Sequence, residues 1–124
     1  MRRFQIGAGA LMRGAEDVKN WMNMFRWIVK LIRDDYGIPE DQLTRNAAIE
    51  EDLGLQAEQL EQVMDALSEA FKIRFPEGAL NELVRLEELC LLASWLAGFY
   101  KQPPFLADSF AAEAMAMNPG AGQG

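Results

Sequence analysis

An all-α fold is predicted for this chain, a bundle of three to four helices with a long structured loop between the first two. Three observations predict it. Apolar residues recur at three- and four-residue steps along several stretches, as they do on one face of a helix. Glycine and proline stand between those stretches, where helices end. Half of the 124 residues are apolar, which is enough for one domain with one packed core.

The first helix is predicted from about Asp17 to Asp35, because stop signals follow at Gly37 and Pro39. Its apolar face consists of Val18, Trp21, Met22, Phe25, Ile28, Val29 and Ile32. Trp27 lies off this face, so we expect it at the surface, where it could anchor a partner. Residues 1–15 are spotted with glycine and show no period, so they are expected to be a mobile lead-in.

A long connection from Gly37 to about Gln56 follows, and its apolar residues predict that part of it packs inward. They are Ile38, Leu43, Ala47, Ile49, Leu53 and Leu55. Connections of this length inside a compact domain are usually ordered or functional. The second helix is predicted over Ala57–Phe71, with an apolar stripe that begins at Leu60.

Two further helices are predicted in the domain, a short one within Glu77–Val84 and a last one over Leu86–Tyr100. The helical domain is therefore expected to cover residues 16–101. Residues 102–124 form a C-terminal tail, in which Phe105–Met117 could make one weakly anchored helix. The last seven residues, which begin at Asn118 and are rich in glycine, are expected to be disordered.

The charges of the chain are unevenly distributed. Residues 1–33 hold seven basic residues against two acidic ones, a net of +5, whereas residues 39–71 hold nine acidic residues against one basic, a net of −8. The net charge of −7 argues against nucleic acid as a partner, because phosphate backbones are bound by lysine and arginine. An acidic block suits a basic protein partner or serves solubility.

Several classes of function are disfavoured by the composition. The chain has no histidine, which removes the commonest general base and metal ligand, and no nucleophile–base pair is visible, so we expect no enzyme. The single cysteine, Cys90, stands among leucines and is expected to be a buried small hydrophobe in a reducing, cytoplasmic protein. No apolar run is long enough to span a bilayer, and the N-terminal apolar stretch is too broken for a secretion signal.

Two stretches of the sequence carry a resemblance to a known family. The run VKLIRDDYGIPEDQLTRNAAIEED ends at Asp52 and is followed by Leu53-Gly54, and VMDALSEAFKIRFP covers Val63–Pro76. Together they resemble the acyl carrier protein family, over roughly Asp17–Lys101, and the resemblance is greatest to divergent bacterial members. It implies a helical bundle in which the Asp-Leu-Gly turn leads into the second helix.

The resemblance fails at the attachment site. In the family a serine just after this turn carries 4′-phosphopantetheine, but here an ungapped alignment places Ala57 there, and a two-residue shift places Gln59. Neither side chain can be phosphopantetheinylated, so we expect no cofactor. Gln56 and Glu58 also replace the family's aspartate and leucine.

An acidic ridge is predicted on the second helix, opposite its apolar stripe. It consists of Glu58, Glu61, Asp65 and Glu69. The resemblance implies that this ridge docks on a basic protein, such as an enzyme of acyl-chain metabolism, although a solvated helix face explains the pattern equally well. The expected function is an interaction module; the alternatives are a genuine carrier whose serine is replaced by Ala57, and a protein that binds fatty acyl chains without a covalent link.

Overall fold

Four α-helices make up most of the regular structure in residues 18–122, the part of the chain that the computed structural model describes. They are α1 (Trp21–Tyr36), α2 (Ala57–Phe71), α3 (Leu86–Leu96) and α4 (Asp108–Met117), with short 3-10 helices at Glu40–Gln42 and Ala79–Glu82. An isolated antiparallel bridge joins Ala48 to Arg85. Residues 18–122 contain no β-strand. The all-α prediction is confirmed, while the predicted lead-in and the predicted helix start at Asp17 lie outside the described residues.

Local capping sets both ends of α1. At its start the Asn20 side chain accepts a hydrogen bond from the Asn23 N–H at 2.9 Å, which satisfies a free donor of the first turn. At its end Gly37 takes the left-handed conformation, φ 70°, and its N–H donates to the Arg33 carbonyl. The glycine therefore ends the helix where the sequence predicts a stop.

The core lies where α1 packs against α3, the most extensive helix–helix contact of the fold. Its fully buried side chains include Met24, Ile28, Leu31 and Ile32 of α1 and Leu89, Leu92 and Trp95 of α3. The long connection contributes to the same core, as predicted, because Leu43, Ala47, Ile49, Leu53 and Leu55 are buried. Burial of these side chains orders a segment that otherwise contains only one short 3-10 helix.

The expectation that Trp27 is exposed is wrong, since only 6% of the residue is accessible. Its ring packs edge-on against Phe71 at the end of α2, with 5.1 Å between centroids, and Phe71 in turn packs edge-on against Phe99. The buried face of α1 is thus wider than the stripe read from the sequence, and α2 covers the added part. Met22, assigned to that stripe, is half exposed instead, at 50%.

Two of the predicted helices are shorter than expected. Instead of a helix over Glu77–Val84, a single 3-10 turn covers Ala79–Glu82, because Leu83 and Arg85 are extended and Arg85 pairs with Ala48. Helix α3 ends at Leu96 rather than Tyr100, since Gly98 adopts φ 85° and the Phe99 N–H turns back to the Ser94 carbonyl at 2.7 Å.

The C-terminal segment is more firmly packed than the sequence predicts. Helix α4 buries Phe110, Ala111 and Ala114. Asn118, expected to begin a disordered tail, is 5% exposed and donates to and accepts from the backbone of Arg74. The Gly122 N–H also donates to the Trp95 carbonyl at 3.1 Å. The Asn118 side chain and the Gly122 N–H thus bond to distant backbone groups and hold this segment, and no local sequence pattern reveals such bonds.

Candidate functional site

The Asp-Leu-Gly turn before α2 is held by its own hydrogen bonds. Asp52 Oδ2 accepts from the Ala48 N–H at 2.8 Å, while the Asp52 and Leu53 N–H groups donate to the Ala48 carbonyl. Leu53 is buried and anchors the turn in the core. Gly54 adopts φ 71°, a conformation that side chains disfavour. Each residue of the turn thus has a structural role, and together they set where α2 begins.

The segment that precedes α3 ties down the other side of this turn. The Ile49 N–H donates to the Val84 carbonyl at 2.8 Å, and the Leu86 N–H donates to the Ala47 carbonyl at 2.9 Å. The Arg85 guanidinium adds a bond to the Asn46 carbonyl at 2.6 Å. These contacts form the bridge between the long connection and the rest of the bundle, so the turn is fixed relative to α3.

Ala57 is the first residue of α2 and is exposed. The Gln56 N–H donates to Gln59 Oε1 at 2.9 Å, which closes the first turn of the helix. Gln59, the residue that the shifted alignment selects, is half-buried and uses its side chain in this contact. Tyr36 braces the next turn, since its hydroxyl lies 2.7 Å from Gln62 Oε1.

All four residues of the acidic ridge are exposed on α2. None of them makes an ion pair within residues 18–122. Other carboxylates differ: Asp34 pairs with Lys30 at 3.1 Å, and Glu40 pairs with Arg33 at 2.7 Å. The ridge therefore presents its negative charge to solvent without compensation from a neighbouring side chain.

Next to Ala57 lies a groove of about 390 Å³, which we call the loop groove. It is bounded by the long connection, the start of α2 and the segment that precedes α3; the lining residues are Ala48, Ile49, Glu50, Glu51, Leu55, Ala57, Leu60, Leu80, Asn81, Leu83 and Val84. Its volume falls in the range of pockets that hold small ligands (~300–1,000 Å³). Val84 is 59% exposed and adds apolar surface at this site.

Cys90 takes the place that the sequence predicts for it, in the core. Only 1% of the residue is accessible, and its thiol donates to the Trp21 carbonyl at 3.2 Å. Burial raises the pKa of Cys90 to about 12, so the nucleophilic thiolate is scarce at neutral pH. The thiol lies on the α1–α3 contact and is not part of the loop groove.

Residues 18–122 contain neither an arranged set of metal ligands nor a helix suited to a bilayer. No group of three or more acidic or cysteine side chains in this part of the chain is arranged to hold a metal ion. None of its helices combines the length and the apolar character needed to cross a bilayer.

Sequence reasoning missed the wall that Leu80, Leu83 and Val84 contribute to the loop groove. These residues lie more than twenty positions after the Asp-Leu-Gly turn in the sequence. Backbone contacts bring them beside it, namely the Ala48–Arg85 bridge and the bond from the Ile49 N–H to the Val84 carbonyl. One local signal was present, since Glu88 stands at the third position of α3 and its Oε1 accepts from the Val84 and Arg85 N–H groups. A glutamate at this position is typical of a helix start.

Comparison of the chain with protein-family models, with curated proteins and with solved structures gave no match in any of the three searches.

Proposed function

We propose that this chain is an acyl-carrier-like interaction module, not phosphopantetheinylated at the usual position, that binds a basic protein through the acidic ridge of α2. The resemblance in sequence suggests the carrier-like framework. The role is binding rather than catalysis, and the partner surface is Glu58, Glu61, Asp65 and Glu69. An enzyme of acyl-chain metabolism is the kind of partner that the resemblance implies.

The observation that carries this proposal is the uncompensated charge of the ridge. Four carboxylates share one face over three turns of α2, all exposed and none in an ion pair within the described residues. Such a surface attracts a basic partner and orients its approach. The apolar stripe on the opposite face, which includes Leu60, Val63 and Leu67, anchors α2 in the core. The position of the ridge is therefore set by the fold.

Charge reversal tests the proposal. The chain is immobilised and used to capture partners from a lysate, in parallel with the variant Glu61→Lys/Asp65→Lys. A matched control, Glu77→Lys/Glu113→Lys, makes the same change in net charge at two exposed acids elsewhere. We expect the ridge variant to lose a partner that the unchanged chain and the control both retain, and we expect added salt to weaken the capture.

A partner lost equally from both variants would indicate a response to net charge alone. A partner retained by both would exclude the ridge as its binding surface. Either result would contradict the proposal. Because every substituted side chain is exposed, we expect both variants to keep their helices, and circular dichroism checks this.

The exposure of Ala57 favours one alternative, a genuine carrier whose serine has been replaced. The side chain stands at the start of α2, where a transferase can reach it. The test is the intact mass of Ala57→Ser after incubation with coenzyme A and a broad-range phosphopantetheinyl transferase. Under our proposal neither the variant nor the unchanged chain gains mass, because Gln56 and Glu58 have also changed the surface. The gain of one phosphopantetheine arm by the variant would favour the carrier instead.

The loop groove favours the other alternative, a protein that binds acyl chains without a covalent link. Its lining is mainly aliphatic and it opens beside Ala57. A bound fatty acid would stabilise the native state by mass action and raise Tm. Val84→Glu should abolish that increase, whereas Met115→Glu, at an exposed methionine of α4, should leave it unchanged. No rise in Tm with saturated fatty acids would exclude this alternative.

A further inference from the structure

The loop groove combines an apolar floor with an acidic rim. Ile49, Leu55, Leu60 and Leu83 line it and are buried or nearly so, while Glu50 and Glu51 line it and are exposed. None of the lining residues is basic. The side chains of the two glutamates make no ion pair within the described residues. A groove of this kind suits a peptide segment that carries both large apolar and positively charged side chains.

The first thirteen residues of the chain have this composition. They contain Arg2, Arg3 and Arg13 and no acidic residue. Four large apolar side chains stand between these arginines: Phe4, Ile6, Leu11 and Met12. These residues lie outside the described part of the chain. Their suitability for the groove therefore rests on their composition and on where they join α1.

The start of α1, to which this segment leads, contacts the long connection that lines part of the groove. The Trp21 ring at the start of α1 packs under the Arg45 guanidinium, with 4.7 Å between Cζ and the ring centroid. Arg45 is three residues before Ala48, which lines the groove, and three residues span at most about 11 Å. With residues 1–13 bound, residues 14–17 form the tether to Val18, and this tether can span about 18 Å when extended.

We propose that residues 1–13 bind in the loop groove of their own chain, with their large apolar side chains on its floor and their arginines near Glu50 and Glu51. Because the segment is tethered, its local concentration at the groove is high, and a weak interaction suffices for occupancy. Bound there, it covers the surface beside Ala57 and neutralises the acids next to the ridge. Competition with a basic partner is the consequence, and this consequence alone rests on the proposed function.

A spin label on the full chain tests the proposal. The label is attached through Gln5→Cys, which leaves Phe4 and Ile6 in place, and native Cys90 stays unlabelled because it is buried with a raised pKa. We expect the amide signals of Ile49, Leu80 and Val84 to lose most of their intensity in the oxidised sample relative to the reduced one. The loss should be unchanged on dilution. Glu50→Lys/Glu51→Lys should abolish it, and the matched reversal Glu77→Lys/Glu113→Lys should not.

Three results would overturn the proposal. Full intensity at the groove amides would show that the segment does not bind there and would leave the groove to a partner or an acyl chain. A loss of intensity that disappears on dilution would assign the groove to the segment of a second copy. A loss of intensity that persists in Glu50→Lys/Glu51→Lys would show that the charges of Glu50 and Glu51 do not contribute to binding of the segment. No partner is present in this experiment, so its outcome is independent of the capture experiment on the acidic ridge.

Discussion

At the scale of single residues, the Asp-Leu-Gly turn shows how a short sequence acquires a fixed shape. The Asp52 carboxylate accepts the Ala48 N–H, Leu53 is buried, and Gly54 supplies a left-handed backbone. None of these roles needs the serine that follows the turn in acyl carriers. The turn is therefore a stable structural element whichever residue stands at the start of α2.

Gly54→Ala should destabilise the protein by about 1 kcal/mol, because an L-residue at φ 71° is strained by that amount. An added Cβ at this position would meet no atom within 4 Å, so steric contact does not contribute. Gly120→Ala is the matched control, since its Cβ also meets no atom and its backbone is not left-handed. Urea denaturation measures both. Equal effects at the two positions would contradict this account of the turn.

Cys90 should make the stability of the protein fall at alkaline pH. Burial raises the pKa of the folded thiol to about 12 from the 9.0 of an exposed thiol, so above pH 9 the unfolded chain releases a proton that the folded chain retains. The free energy of unfolding then decreases by up to about 1.4 kcal/mol per pH unit between pH 9 and 12. Denaturation at several pH values, with Cys90→Ala as reference, isolates this contribution. Identical slopes for the two proteins would show that the thiol ionises equally in both states.

For the helices, sequence reasoning is accurate where the stabilising interactions are local in sequence, and it fails where they join distant residues. The bounds of α2 agree with the predicted Ala57–Phe71, because its apolar stripe and its capping are local. The predicted third helix is only a 3-10 turn, since the Ala48–Arg85 bridge holds the following residues extended. The acidic ridge could be predicted as an exposed face from its spacing alone. The loop groove could not, because Leu80 and Val84 reach it through this bridge.

Glu88 should stabilise both α3 and the groove wall. Its Oε1 accepts from the Val84 N–H at 2.7 Å and from the Arg85 N–H at 2.9 Å. Glu88→Ala removes both acceptor contacts and should cost about 1–2 kcal/mol, as the loss of a helix cap does. Glu88→Gln retains an acceptor oxygen and should recover most of this loss. The midpoint of urea denaturation compares the three proteins.

Amide exchange locates the effect of Glu88→Ala. The Ile49 N–H, bonded to the Val84 carbonyl, should exchange faster, whereas the Leu60 N–H in α2 should change less. Uniform acceleration of both amides would indicate a global loss of stability, and Glu88 would then have no particular role at the groove.

At the scale of the whole molecule, the charge asymmetry of the sequence persists on the folded surface in an altered form. Basic side chains of α1 are partly neutralised, since Lys30 pairs with Asp34 and Arg33 with Asp34 and Glu40. The ridge of α2 has no such pairs in residues 18–122. Within the described residues, the acids that pair with α1 are therefore compensated, whereas those of the ridge are not. The sequence predicts the acidic block but cannot show which acids the fold neutralises.

Asn118, just after α4, joins the C-terminal segment to the turn after α2. Its Oδ1 accepts from the Arg74 N–H at 2.7 Å, and its Nδ2 donates to the Arg74 and Ala114 carbonyls, each at 2.8 Å. Asn118→Ala would remove the partner of the Arg74 N–H and of the Arg74 carbonyl, whereas the Ala114 carbonyl keeps the Asn118 N–H, so we expect a loss of about 2–3 kcal/mol. Asn81→Ala, at an exposed asparagine whose side chain makes no hydrogen bond within residues 18–122, should cost almost nothing. If urea denaturation shows no difference between the two variants, α4 and its tail are not docked on the turn after α2, and the disorder predicted from composition is correct.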